Sequence, residues 1–502
     1  MNHEAQRSFL RALSERAALD LRVHCVVTSL VTSVLLITTL TTPLMGQSSS
    51  LLSPCRVPGI ADEVRCGTFT VHENRADRAS RPIPLKVIVL PSRSAKPRPD
   101  PLILVSPGGP GTTNSESLIG RGWNSWMRDD RDVVIVDLRG TSGPSRLDCD
   151  FADPRAPDAA FLGPLFPPQG IAQCKAALEK RADLRFYTTP IIVEDLEEVR
   201  RALGYDRVNL WGVSWGTRVE YLWLKMHPEH LRSVILEGSA PVSFLNPLPH
   251  ARNAQRAIDS LFAECARQPQ CHASFPNVRS ELDSVMARLK RKPAMVRVAG
   301  NSDREPTSVP LTWQTFAEGL RLMTYNMPRV QRVPLLVHRA ALGDYDDFVS
   351  AAIASNRGIR GAIRFGFLLA ITCTEDVPRI DPRTIDHETA GTYLGDSRVR
   401  EQMAACSQWP RGTLAPDYGA PARSTVPAFL ISGSLDPVAG SDLTAEAAKY
   451  LTNSIHVVAP GGHVPFGPCI DAMERAFLIA ASPKAVNTSC VHAMRLPDFT
   501  TR

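Results

Sequence analysis

A chain of 502 residues with 43% hydrophobic and 22% charged side chains has enough apolar surface to bury a core, which excludes a disordered or collagen-like protein. Its 57 Lys+Arg against 51 Asp+Glu leave a scattered net charge of +6, and no basic run is interleaved with aromatic residues, so nucleic acid is not an expected partner. No solenoid period repeats, and the length suggests two or three domains or one large core with an insertion.

At the start, Arg7, Arg11, Arg16 and Arg22 precede an apolar stretch from about Val26 to Leu40. Pro43, Gly46 and polar Gln47 to Ser50 follow. This order of basic, apolar and small residues predicts a signal peptide over 1–46, cut after Gly46; an uncleaved N-terminal anchor is the alternative. The expected location is periplasmic, extracellular or cell-envelope associated, with no stable membrane association unless the leader is retained. Of 11 cysteines, Cys25 lies in the leader. The others fall into neighbouring pairs: Cys55/Cys66, Cys149/Cys174, Cys265/Cys271, Cys373/Cys406 and Cys469/Cys490. An even count without C-x-x-C spacing favours disulfides and an oxidising compartment. Pairing by nearest neighbour is one of many possible connectivities, and buried free thiols are the alternative.

Further along, Leu102–Val105, Val133–Val136, Val208–Trp211 and Val234–Leu236 are short, near-continuous apolar runs of the kind buried on both faces of a parallel sheet. Between two of them, Val193, Leu196, Val199 and Leu203 follow helical spacing and Gly204 sits at a helix stop. Val219, Leu222, Trp223 and Met226 form a second helical stripe, closed by His227-Pro228. Strands alternating with helices predict an α/β fold with a mostly parallel sheet. Two more strands, Ala428–Ile431 and Ile455–Val458, come much later. The intervening stretch is rich in amphipathic helical patterns such as Ala257–Ala266 and Ser280–Leu289. The expected organisation is a first part of the core over 47–240, a helical cap insertion over 241–420 and a returning C-terminal part of the core over 421–502.

Gly212-Val213-Ser214-Trp215-Gly216 stands between a strand pattern and a helix pattern. That is the context in which G-x-S-x-G lifts a serine hydroxyl off a sheet on a strained turn; out of context it would be a Gly/Ser turn. A serine needs a base to take its proton and a carboxylate to orient that base. Asp436 and His463 follow late strand patterns in the required order, with Glu237 competing as the acid and His456 and His492 as the base. The oxyanion of an acyl-transfer intermediate needs backbone donors. The N–H of Trp215 and that of Gly109, in Pro107-Gly108-Gly109-Pro110-Gly111, are the candidates; one such donor typically contributes about 3–4 kcal/mol.

Taken together, Gly108–Gly111, Asp137–Gly143, Gly212–Thr217, Asp436-Pro437 and Gly462-His463 resemble the α/β-hydrolase family of prolyl and tripeptidyl aminopeptidases. Cys66–Phe69, Cys373–Asp376 with Cys406 and Trp409-Pro410, and the C-terminal Cys469, Cys490 and Pro497–Phe499 look like its secreted tripeptidyl-aminopeptidase-like subgroup. Pro107 stands where prolyl aminopeptidases often carry histidine, which points away from proline specificity. The resemblance implies an α/β-hydrolase fold and a serine exopeptidase releasing one to three residues from free N-termini. Such an enzyme must read an ammonium, and Glu375 and Asp376, in the insertion beside a cysteine, are candidates; an exposed acidic loop pair is the alternative.

The same triad would also serve an esterase or broad acyl hydrolase, since acyl transfer does not name the leaving group, and a scaffold with a damaged triad would be a non-catalytic binding protein. The expected substrate is a peptide or acyl compound, attacked by Ser214 with His463 as base, and no metal or organic cofactor is required.

Overall fold

Continuous β-branched runs make the centre of the sheet, and alternating ones make its edge. In this computed structural model, which describes residues 51–119, 126–298, 305–325 and 327–502, eleven strands form among the described residues: β1 (Leu52–Cys55), β2 (Val64–His72), β3 (Pro82–Leu90), β4 (Arg98–Ser106), β5 (Arg131–Val136), β6 (Val208–Val213), β7 (Leu231–Glu237), β8 (Ala294–Val298), β9 (Thr307–Leu311), β10 (Ala428–Gly433) and β11 (Ser454–Ala459). Nine of them join one sheet in the order β1-β2-β3-β5-β4-β6-β7-β10-β11. The β1, β2, β3 and β5 neighbours pair antiparallel. From β5 onward every pair is parallel. The predicted leader over 1–46 lies outside the described residues.

The strand interiors explain this order. All six residues of β6 and of β10 are buried, as strands covered by helices on both faces must be. Successive residues feed opposite layers: Val105, Val136 and Leu210 pack on one face, Leu104, Ile135 and Trp211 on the other, the two-residue period of a pleated strand. The antiparallel edge was outside the sequence reading, because β2 alternates exposed and half-buried positions over most of its length.

A second apolar core lies away from the sheet. Helices His250–Arg267, Val278–Arg291, Trp313–Met323, Val333–Ala341 and Asp346–Ala362 bury Ile258, Leu261, Val285, Phe316, Leu336 and Phe348 together. The antiparallel pair β8–β9 adds Val296, Val298 and Leu311 to the same core, within the mainly helical insertion that the sequence predicts. Not all of the 241–420 stretch belongs to this core, although Phe275, Tyr393 and Leu394 do. Helices Phe365–Glu375 and Ser397–Cys406 pack Phe367, Leu369, Ile371 and Val399 into the sheet's own hydrophobic layer. Phe365 to Ile371 is apolar all round, and a helix with no polar face has to be enclosed.

Five disulfides staple the fold: Cys55–Cys66, Cys149–Cys174, Cys265–Cys271, Cys373–Cys406 and Cys469–Cys490. Among the described residues no helix is long and apolar enough to cross a membrane.

Candidate active site

Ser214 follows β6 directly, and its backbone is held at φ 57°, ψ −122°. A non-glycine residue there is strained by about 1–3 kcal/mol, so the surroundings must enforce it. The Ser214 N–H donates to the Glu237 carbonyl at 2.8 Å. The Ser214 carbonyl accepts from the Thr217 hydroxyl at 2.6 Å. The two motif glycines are required by space: a Cβ on Gly216 would stand 2.6 Å from the Ser106 carbonyl oxygen, and one on Gly212 would stand 2.8 Å from Glu220 Oε2. Glu220 itself is fully buried behind the turn with neither carboxyl oxygen hydrogen-bonded among the described residues, and burial holds its pKa well above the usual range.

The loops after β10 and β11 bring the other two residues together. Asp436 Oδ1 accepts the Val438 and Ala439 N–H groups at 2.8 and 3.1 Å, which leaves Oδ2 for His463 Nδ1 at 2.8 Å. His463 is 6% exposed. Its Nε2 has no hydrogen-bond partner among the described residues, and His463 lines the same cavity, of about 850 Å³, as Ser214. The ring is hemmed in by Tyr325, edge-on at 5.6 Å. On the side of Gly238, at φ +55°, an added Cβ would stand 2.9 Å from His463 Cε1.

Competing residues are committed elsewhere. His456 Nε2 is bonded to the Ser432 hydroxyl at 2.9 Å, and His492 lies in a short 3-10 turn near the C-terminus. Glu237 accepts from the Trp211 indole at 2.8 Å. The same indole reaches Glu474 at 3.1 Å, and burial raises the pKa of both carboxyls, each further disfavoured as an anion by neighbouring acids.

The glycine loop after β4 is clamped to the roof of the cavity. The Thr112 hydroxyl donates to the Gly109 carbonyl at 2.8 Å, and Gly111, at φ +93°, is so close to Arg364 that a Cβ would meet its carbonyl oxygen at 2.6 Å. Gly109 and Trp215 both line the cavity, and the first N–H groups of the helix Trp215–Met226 have no intrahelical acceptor. The Asp137–Gly143 segment supports this loop from below. Asp137 accepts the Ser115 N–H and hydroxyl, each at 2.7 Å, and buried Arg139 grips Asp195 at 2.6 and 2.7 Å.

The pair Glu375 and Asp376 is neither exposed nor in a free loop. Glu375 ends the helix Phe365–Glu375 and is completely buried; its oxygens accept from the Thr189 N–H and hydroxyl and from the Tyr418 hydroxyl. It does not line the cavity, which corrects its candidacy for an ammonium site. Asp376 does line it. Its Oδ1 accepts from Arg218 Nη1 at 2.8 Å. Burial pushes its pKa up to about 7 against the opposing pull of Arg218.

Polar residues outside the sequence reading complete the roof. Glu318 and Arg321 form a paired fork, with bonds of 2.8 and 2.6 Å, and Arg321 also donates to the Tyr325 hydroxyl at 2.7 Å. Arg398 and His250 stand beside them, and all lie on the cavity wall. Spacing reveals the Glu318/Arg321 pair as an i, i+3 neighbour pair, but nothing local connects it to residue 398.

Comparisons with known proteins agree with this architecture. Residues 101–315 match the alpha/beta hydrolase fold family and residues 392–490 the TAP-like protein family. The serine protease Hip1 of Mycobacterium tuberculosis is 22% identical over 446 residues, covering 77% of this chain and 80% of that protein. The tripeptidyl aminopeptidase of Streptomyces lividans is 27% identical over 196 residues, 35% of each chain. The crystal structure of proline iminopeptidase from Mycobacterium smegmatis aligns over 83% of this chain and 96% of that one, with 17% identity and a TM-score of 0.36. The chain has the alpha/beta hydrolase fold, with a TAP-like part over 392–490, and is similar in sequence to the serine protease Hip1 and to a tripeptidyl aminopeptidase.

Proposed function

We propose that this protein is an exported aminopeptidase that releases short peptides or single residues from free N-termini through an acyl-enzyme on Ser214. The observation that carries the reading is His463. Its Nδ1 is fixed by Asp436, its Nε2 has no partner among the described residues, and the residue lines the cavity that holds the strained serine. A base fixed on one nitrogen and open on the other suits proton transfer from the hydroxyl.

In the first step the Ser214 hydroxyl adds to the substrate carbonyl as His463 Nε2 accepts its proton. The Trp215 and Gly109 amides receive the oxyanion, and the protonated imidazole then gives its proton to the departing amine. In the second step His463 takes a proton from water as the water adds to the acyl-enzyme carbonyl, and the imidazolium then returns it to the departing Ser214 oxygen as the acyl bond breaks. Asp376 is the carboxyl proposed to meet the substrate ammonium, because it reaches the cavity and an arriving cation would favour its ionised form. The relatedness to a serine protease and a tripeptidyl aminopeptidase supports peptide over other acyl substrates. Five disulfides support an oxidising compartment.

The test is a panel of aminoacyl, dipeptidyl and tripeptidyl amides against short acyl esters, run with and without N-terminal acetylation. Loss of cleavage on acetylation is the expected result. Indifference to acetylation with a preference for esters would replace the peptidase reading by that of a general esterase.

A further inference from the structure

The roof of the cavity carries a cation that the proposed chemistry leaves unused. Arg398 is 7% exposed, lies on the cavity wall with Ser214, and stacks its guanidinium 5.1 Å from the Phe166 ring. Neither its Nε nor its Nη1 has a hydrogen-bond partner among the described residues. The nearest carboxylate oxygen, Glu318 Oε1, is 3.9 Å from Nε, and Glu318 is already held by the fork of Arg321. The neighbouring His250 adds no anion. Its Nδ1 is also buried without a partner, and burial, with Arg321 and Arg398 nearby, keeps its ring neutral. A further carboxylate, Glu401, acts on Arg398 only through space, and its Oε1 is engaged with the Phe166 N–H at 2.7 Å. That carboxylate is matched by a second buried cation, Arg360. The group Glu318, Glu401, Arg321, Arg360 and Arg398 therefore holds one positive charge in excess.

A buried guanidinium with open donors is costly, since each unmade bond of a buried charged group forfeits more than a neutral one does. Such a side chain is stable where a ligand completes it, and the fork geometry of arginine suits a planar carboxylate. We propose that Arg398, with Arg321 and His250 beside it, forms a subsite for a carboxylate of the substrate, so that anionic peptides are preferred over their neutral isosteres. The carboxylate comes either from an acidic side chain or from the free C-terminus of a short peptide. The proposal rests on the aminopeptidase reading for the identity of the substrate, but not for the existence of the subsite.

Two measurements test it separately. In the first, the rate at which a fluorophosphonate labels Ser214 in the full-length enzyme is followed in the presence of glutarate or of uncharged glutaramide. Protection by glutarate at concentrations at least tenfold lower than glutaramide is expected. Equal protection by the two, or none by glutarate, overturns the subsite whatever the natural substrate is. In the second, kcat/KM is compared for tripeptidyl amides carrying Glu or Gln, and for tripeptides with a free or an amidated C-terminus. The pair that shows the preference names the source of the carboxylate. A preference of about tenfold or more is expected in one pair. In Arg398→Gln that ratio falls to about one, and Arg398→Lys restores part of it. A ratio unchanged in Arg398→Gln overturns the proposal, and so does no preference in either pair. If no peptide is cleaved while labelling proceeds, the aminopeptidase reading fails and the glutarate result alone decides the subsite.

Discussion

On the floor of the cavity, Ser214, Asp436 and His463 each sit just past the end of a parallel strand, β6, β10 or β11, and each is fixed by main-chain geometry. On the roof, Glu318, Arg321 and Arg398 project from helices far apart in sequence, Asp376 follows the end of another, and Glu318, Arg321 and Asp376 are fixed by side-chain ion pairs. The floor is a place where a sheet ends, and open α/β sheets put their sites there irrespective of what covers them. The roof depends on how particular helices stack. Changes to the floor should therefore abolish turnover of every substrate, whereas changes to the roof should alter which substrates are turned over or how stable the protein is.

The sharpest way to break that contrast is at the floor. Ser214→Ala should abolish fluorophosphonate labelling and lower kcat by about 10⁴-fold or more, equally for every substrate in the panel. Residual activity concentrated in one substrate class would place the nucleophile elsewhere. A subtler floor change is Gly238→Ala. Its Cβ would stand 2.8 Å from the His463 carbonyl oxygen and 2.9 Å from Cε1, at a backbone angle of φ +55° that alanine resists. Pushing the imidazole aside should cost about 10–100-fold in kcat with little change in KM. Retention of full kcat would mean that His463 tolerates displacement and is not the positioned base.

How legible each half was follows from the same contrast. The turn around Ser214 is a local device, so five residues of sequence between a strand and a helix disclose it. Asp436 and His463 are legible because short apolar runs announce β10 and β11 immediately before them. Arg398 lies in the helix Ser397–Cys406, where a charged residue reads like any solvated one until Phe166 and Glu318 arrive from elsewhere. Glu375 was misjudged for a related reason. Its acidic neighbour and its place beside a cysteine in the insertion suggest an ammonium-reading carboxylate, whereas the uninterrupted apolar run Phe365–Ile371 is the signal that whatever ends that helix is enclosed. Periodicity tells which face of a helix is apolar but not which core receives it, so nothing in the sequence separates Phe365–Glu375 and Ser397–Cys406, which pack in the sheet's layer, from Tyr393 and Leu394 between them, which pack with the other helices.

At the roof, Asp376→Asn separates the two roles of that residue. Arg218 donates to Asp376 at 2.8 Å and to the Phe244 carbonyl at 2.6 Å, and approaches Glu375 only to 3.5 Å. Removing the nearer anion leaves buried Arg218 only Glu375 at 3.5 Å and should destabilise by less than the about 3–5 kcal/mol of a fully broken buried pair, read by chemical denaturation. If Asp376 also meets the substrate ammonium, KM for unblocked peptides should rise while hydrolysis of acetylated or ester substrates keeps its KM. A stability loss with KM unchanged for free N-termini would leave Asp376 a packing residue and shift the ammonium site elsewhere.

The smallest expected effect lies below the floor, at Glu237 and Glu474, which share the Trp211 indole. Burial raises the pKa of both, each beside another acid, from an ordinary value of 4.5. Below that value folded and unfolded chains both hold the protons, and the stability this pair contributes is fully present. As pH rises above it, the unfolded chain releases its protons while the folded pair retains them, so folding stability declines until the folded carboxyls ionise in turn. For each proton held only by the folded state the slope is about 1.4 kcal/mol per pH unit, on the order of one degree in Tm for a protein of this size. Glu474→Gln keeps a polar contact for Trp211 and Glu237 but removes one titrating group. The variant should therefore lose Tm more slowly than the parent between pH 5 and pH 8, whereas parallel curves would show that the pair already ionises near its ordinary value.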